Sequence, residues 1–200
     1  MTTIQPPSNC PSCDSWLEEV NNLFYCKNEL CGEKLQKQIE HFAKTLKIKG
    51  LGPATIKKLK LESINDLYWL TKNELKRLLD SSILAGKLFN EIQNSRKAPL
   101  NVLLPAFSIP LIGKTAAEKL AKEFNDIEDI YYERCRKAGL GEKAAKNLMD
   151  WMNTGFFDVA ELPFSWKFEK PQETTTHGVV CISGKLTSFK NKAEAQNKLE

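Results

Sequence analysis

Leu46-Lys47-Ile48-Lys49-Gly50-Leu51-Gly52-Pro53-Ala54-Thr55-Ile56-Lys57-Lys58-Leu59 is the stretch on which the reading of this chain turns. It reads as the end of one helix, a Gly-Leu-Gly hairpin and the start of a second helix. Gly50 and Gly52 can take backbone angles closed to other residues. Pro53 suits the first helical position, where no N–H donor is needed. Ile56 and Leu59 give the second helix an apolar side, with Lys57 and Lys58 on a charged one. Such a hairpin turns several N–H groups outward beside the positive end of a helix, an arrangement that attracts anions. One Gly-x-Gly is equally compatible with a plain turn.

Recurrence strengthens it. Ile109-Pro110-Leu111-Ile112-Gly113-Lys114-Thr115 has the same shape with one hairpin glycine, and Lys137-Ala138-Gly139-Leu140-Gly141-Glu142-Lys143 repeats it with both. Between them, Leu79-Asp80-Ser81-Ser82 is a degenerate copy with Ser81 where the glycine belongs. Gly52, Ser81, Gly113 and Gly141 are spaced by 29, 32 and 28 residues. A period near thirty marks a repeated supersecondary unit. The expected fold is mainly α, with four helix-hairpin-helix units over residues 41–152.

The 200 residues suffice for one or two domains, and 42% hydrophobic with 27% charged content is ordinary for a globular protein. No apolar run reaches the length of a membrane span, and no signal-peptide core opens the chain, so the expected location is the cytoplasm. The net charge of +4 hides an asymmetry: residues 41–152 hold 20 Lys and Arg against 13 Asp and Glu. Positive charge on the repeats makes phosphate the expected partner, although a merely soluble surface can carry as much. The candidate phosphate-contacting residues are Gly50, Leu51, Gly52 and Lys57; Gly113, Lys114 and Thr115; and Gly139, Gly141 and Lys143.

Residues 10–31 hold the sharpest single motif, Cys10-Pro11-Ser12-Cys13 followed by Tyr25-Cys26-Lys27-Asn28-Glu29-Leu30-Cys31. Two close thiol pairs separated by a loop suit a tetrahedral Zn2+ site with four thiolates. Cys10, Cys13, Cys26 and Cys31 would close the shell, making the metal structural. Disulfides are the alternative, disfavoured in a chain without a secretory signal. Leu23, Phe24 and Tyr25 should form a strand leading into the second thiol pair. Cys135 and Cys181 read as packed small hydrophobes.

A helix is expected over 33–46, with His41 on its surface or packed. Ser63 or Asn65 should start another helix, and Thr71 with Glu74 a third through a capping box. Tyr68 and Trp69 sit at core spacing with Leu67 and Leu70. Leu100 to Ile112 should be a buried connection between repeat pairs, and the last helix should end at Gly155. Residues 163–177 read as a linker. The pattern from Gly178 to Leu186, then Asn191 to Glu200, reads as one strand and one helix, too little to bury a core alone.

The order of a four-cysteine knuckle, four helix-hairpin-helix units and a Gly-Val-Val-x-Ile-Ser-Gly strand resembles the C-terminal half of bacterial NAD+-dependent DNA ligases. Cys10-Pro11-x-Cys13, Asp66-Leu67-x-x-Leu70-Thr71 and the Gly52-to-Gly113 spacing are the specific parts. The resemblance implies a zinc finger at 1–35, a helix-hairpin-helix DNA-binding domain at 36–162, a linker at 163–177 and a partial BRCT-like α/β segment at 178–200. The family's Lys-x-Asp-Gly adenylation motif is missing, since no Asp-Gly pair occurs in the sequence. No catalytic residue is therefore assigned. The implied role is a subunit of a split, phage-like ligase that clamps nicked duplex in replication or repair. A separate adenylation and oligonucleotide-binding-fold chain would bring NAD+ and Mg2+. The alternative is a DNA-binding accessory or repair scaffold without a ligase partner.

Overall fold

The computed structural model describes residues 6–170. The expected BRCT-like segment at 178–200, Cys181 and residues 171–177 of the expected linker lie outside them. A two-stranded antiparallel ribbon, β1 (Leu17–Val20) and β2 (Leu23–Cys26), opens the described part. It includes the strand expected from Leu23 to Tyr25. Then come α1 (Gly32–Thr45), α2 (Pro53–Leu59), α3 (Ile64–Trp69), α4 (Lys72–Leu79), α5 (Ser82–Ser95) and α6 (Leu100–Ala106). After α7 (Lys114–Glu123) and a 3-10 turn at Ile127–Asp129 follow α8 (Tyr132–Lys137), α9 (Glu142–Asn153) and α10 (Gly155–Val159). The molecule is mainly α, as the pattern required.

Four helix-hairpin-helix units result: α1/α2, α4/α5, α6/α7 and α8/α9. They are related in pairs, because the first two units repeat as the last two about sixty residues on. Buried Ile48, Leu51, Ile56 and Leu59 correspond to buried Ile109, Ile112, Ala117 and Leu120, and Leu75, Ala85 and Leu88 to Cys135, Ala145 and Leu148. Even the loops match. Lys47 and Gly50 have φ of 56° and 88°, and their counterparts Ser108 and Leu111 have 58° and 68°. Leu111 thus occupies a left-handed position that glycine fills in the first and fourth units. The second hairpin is shorter, with Asp80 left-handed (φ 52°) directly before Ser81.

Side chains cap only some helix starts, and α1, α6, α8 and α10 have no side-chain cap. The Ser63 and Thr71 side chains cap α3 and α4 in reciprocal capping boxes with Asp66 and Glu74, and the Ser81 hydroxyl accepts from the Leu84 N–H. Ser63, rather than Asn65, is the cap of α3. By contrast, α2, α7 and α9 begin at Gly52, Gly113 and Gly141, with no side-chain cap.

One continuous apolar core runs through the units. Phe42 is fully buried at its centre, with ring centroids 6.2 Å from Tyr68, 5.4 Å from Phe107 and 6.4 Å from Phe164. His41 is exposed on α1 and hydrogen-bonds the Pro105 carbonyl oxygen at 2.9 Å. Leu100, Leu103, Leu104, Ala106, Ile109 and Ile112 are buried in the expected connection, but Ser108, Pro110 and Leu111 are exposed at its hairpin and its first half is helix α6.

Three expectations need correction. Residues 163–170, the start of the expected linker, pack against the core instead. Phe164 and Phe168 are buried, Lys167 C=O accepts from Leu100 N–H and Trp166 C=O from Ile127 N–H. Phe164, Trp166 and Phe168 pack against the array from a segment that turns at Trp166 (φ 54°), and here they close one side of it. Tyr68 is in the core, but Trp69 is 74% exposed, because the short α3 presents only one side inward. Gly155 starts a further helix, α10, rather than ending the helical region.

Candidate nucleic-acid interface and metal centre

The ribbon brings the two halves of the cysteine motif together. Asn9 bridges to Trp16, which folds the Cys10–Cys13 turn back, and Leu17 pairs with Cys26 across the strands. Cys31 immediately precedes α1. The four sulfurs lie within 4.8 Å of one another, with Cys10 Sγ 3.9 Å from Cys31 Sγ and Cys13 Sγ 3.5 Å from Cys26 Sγ. A tetrahedron of sulfurs around a bond length of 2.3 Å has edges of about 3.8 Å. The donor set therefore fits a four-thiolate metal ion, and the four cysteines could hold one. No disulfide joins them.

Charge leads to the same conclusion. The Ser15 hydroxyl and N–H favour a Cys13 thiolate and draw its pKa down to about 6. The Asn28 N–H favours ionised Cys26, but desolvation and the neighbouring sulfurs outweigh it and push that thiol up to about 12. One thiolate forms readily and makes the next costly, a cost that a cation between them removes. Cys135 differs: it is fully buried in the helical core, and burial alone pushes it up to about 11. It packs as a small apolar side chain.

The hairpins form two clefts. Hairpins three and four meet in one of about 300 Å³, lined by Gly113, Lys114, Thr115 and Lys119 on one side and Gly139 and Gly141 on the other. Hairpins one and two meet in its counterpart of about 410 Å³, where Lys49, Gly50 and Thr55 face Leu79, Leu84 and Lys87. The chemistry differs. Leu79 and Leu84 stand where the other cleft has Gly139 and Ala144. The Glu91 carboxylate also accepts from the Lys49 N–H at 3.4 Å.

Gly50, Gly113, Lys114, Thr115, Gly139, Gly141 and Lys143 are exposed on the hairpins or the first turns after them. Leu51 is buried, and its N–H donates to the Ile48 carbonyl at 3.4 Å. Gly52 is half-buried. Lys57 points back to α1, with its ammonium 3.3 Å from the Glu33 carboxylate, and Lys114 lies 3.8 Å from Glu118. In each Gly-Leu-Gly hairpin the first glycine, and not the second, takes the left-handed conformation. Gly50 (88°) and Gly139 (87°) are left-handed, whereas Gly52 and Gly141 have φ of −94° and −64°. Lys58, Lys119 and Asn147 were missed: each bonds a hairpin carbonyl of the neighbouring unit. Their common signal is a place six residues after the N-cap of each unit.

No helix among the described residues is long and apolar enough to cross a membrane. No family model matches the chain. Individual proteins do. DNA ligase 1 of Clostridium acetobutylicum is 29% identical, over 98% of this chain and 33% of that protein. A DNA ligase of Clostridium botulinum (strain Loch Maree / Type A3) is 33% identical, over 98% of this chain and 32% of its own length. In a DNA ligase of Natranaerobius thermophilus, identity is 35% over 62% of this chain and 20% of the relative. The chain spans about a third of the length of the curated relatives that it matches end to end. By sequence, the chain is similar to about a third of each of these bacterial DNA ligases, and its four clustered cysteines lie within that matched stretch.

Proposed function

We propose that this chain is the DNA-gripping subunit of an NAD+-dependent DNA ligase, holding nicked duplex while a separate chain performs adenylation and sealing. The observation that carries the reading is the capping of the helices that follow the hairpins. Ser81 caps α5, yet α2, α7 and α9 start on Gly52, Gly113 and Gly141 with no side-chain cap. Glycine leaves the first-turn N–H groups accessible to an outside acceptor, and phosphate oxygens are the acceptors that a helix N-terminus favours. Contacts of this kind position DNA without reading its sequence. Lys114 and Lys143 add charge near these turns, and the third and fourth hairpins are the main grip. The first pair, with Leu79, Leu84 and the Glu91 carboxylate in its cleft, contributes less.

Zinc is the metal that four thiolates at this spacing suit, and Cys10, Cys13, Cys26 and Cys31 would hold it. Bound there, it supplies a cross-link and no reaction chemistry. The ribbon and the Cys10–Cys13 turn bury little apolar surface, so thiolate–metal bonds replace a core. NAD+ and Mg2+ belong to the partner chain, in a cytoplasmic complex acting in replication or repair.

The test is complementation. The adenylation and oligonucleotide-binding portion of a relative, lacking its own cysteine cluster and hairpins, is mixed with this chain on nicked duplex. Sealing should rise strongly over either part alone, and this chain alone should form no covalent adenylate with NAD+. Self-adenylation by the isolated chain would overturn the assignment. Duplex binding without any gain in sealing across several partners would move the reading to a DNA-binding accessory protein.

A further inference from the structure

The positions six residues after the N-caps Gly52, Ser81, Gly113 and Gly141 are Lys58, Lys87, Lys119 and Asn147. Three of them reach across to the paired unit and donate to a main-chain carbonyl at its hairpin. Lys58 Nζ is 3.2 Å from Leu79 O, Lys119 Nζ is 2.9 Å from Gly139 O and Asn147 Nδ2 is 2.9 Å from Pro110 O. Leu79 and Gly139 are equivalent in the duplication. In the third and fourth units the exchange is reciprocal, since each second helix holds the other unit's hairpin. In the first pair, Lys87 and Lys49, the counterpart of Pro110, line the same cleft.

We propose that Lys119 and Asn147 are positioning residues that fix the separation of the third and fourth hairpins, so that both meet one duplex at once; Lys58 makes the corresponding structural bond in the first pair, whose second hairpin is capped by Ser81. The inference rests on the DNA-gripping reading above. Each carbonyl they bond belongs to the turn that orients the following N–H groups. A donor fixed on the neighbouring helix holds that turn in register with its partner. Two anion sites at a fixed separation bind as one bidentate grip, and a loose separation forfeits the second contact's effective concentration. Asn147 makes the argument independent of charge. It holds the same place as two lysines without being a cation, so hydrogen bonding is the shared property.

Asn147 also supplies the test. Asn147→Leu removes the donor without changing charge, and Asn147→Gln keeps an amide on a longer stem. Duplex affinity of the full chain is measured across a salt series, with backbone amide exchange at residues 107–113 measured without DNA. Loss of one such bond predicts about three- to tenfold weaker duplex binding for Asn147→Leu. The slope of affinity against salt should not change, because no phosphate-neutralising charge is lost. Exchange in the 107–113 loop should quicken, and Asn147→Gln should restore both readouts at least in part. Wild-type affinity in Asn147→Leu, whatever its amide exchange, would overturn the proposal. So would a loss that Asn147→Gln fails to restore, or one accompanied by a changed salt slope. Failure of the wild-type chain to bind duplex would refute the gripping reading itself, and this inference with it.

Discussion

Gly141→Asp should make the protein more stable and a poorer DNA binder. Gly141 has φ −64° and ψ 155°, the extended geometry of an N-cap, and a Cβ built there meets nothing within 4 Å. The substitution therefore carries no steric cost. Aspartate is among the best N-caps, and its carboxylate also complements the helix dipole. Together these favour the variant by a few tenths to about 1 kcal/mol. Glu142 beside it trims the gain. For a chain of this size the melting temperature should rise by roughly 1–4 °C. If the first-turn N–H groups of α9 hold a phosphate, the new carboxylate occupies them and faces that phosphate. Two like charges about 4 Å apart repel by roughly 1 kcal/mol in water and about 4 kcal/mol near a protein surface. The first figure corresponds to about fivefold in affinity, the least loss expected. Ser81→Asp is the control, because the Ser81 hydroxyl already accepts the Leu84 N–H at 3.3 Å and aspartate replaces one cap by another. Its affinity should stay within about twofold of wild type. Thermal unfolding and duplex titration on the same preparations decide the matter. A stabilised Gly141→Asp that binds like wild type would show that these N–H groups hold no phosphate.

Metal analysis of reduced, freshly purified protein should find one zinc per chain. Cys13→Ser should lose it and unfold the ribbon while leaving the helical signal largely intact; zinc retained in that variant would exclude the four-thiolate site. Phe42→Ala, at the fully buried centre of the core, should cost about 3–5 kcal/mol in a denaturant titration, and less than 1 would mean that the core is not packed as described. Tyr68 predicts an alkaline effect. Burial raises its pKa to about 12, against an ordinary 10, partly offset by its 2.8 Å bond to Ser95. The neutral phenol is thus favoured in the folded state. Its contribution, roughly 2–3 kcal/mol, is complete below pH 10 and is lost as pH rises towards 12. Tyr68→Phe should flatten that part of the stability profile, and an unchanged alkaline slope would contradict the assignment.

The hairpins were legible because Gly-Leu-Gly before a helix is a local signal, and three near-copies at a fixed period leave few alternatives. The pairing of the units was harder to see. Leu111 adopts a left-handed φ of 68° without being glycine, and the second hairpin is shorter, so the copies that match most closely in backbone do not match in residue type. The cysteine cluster was readable from spacing alone, since four thiols in two close pairs can converge over a single ribbon. Residues 163–170 were misread because proline and charge suggested a linker. Phe164, Trp166 and Phe168 are nevertheless spaced by two, and the side of the array they cover is a tertiary fact that no local pattern contains. Trp69 was placed with Tyr68 for the same reason, although α3 is too short to bury both. Lys57 and Lys58 look interchangeable in sequence. Only the fold turns one to Glu33 and the other to the Leu79 carbonyl.

The central claim, that uncapped hairpins grip duplex phosphates, is tested most directly by titrating the purified, zinc-loaded chain with labelled DNA. The substrates are two nicked duplexes of unrelated sequence and a single strand, each at about 50 and 200 mM salt. The account predicts equal affinity for the two duplexes, weaker binding to the single strand, and a loss on the order of a hundredfold between the two salt concentrations. Binding that follows base sequence, prefers the single strand or is indifferent to salt would contradict it.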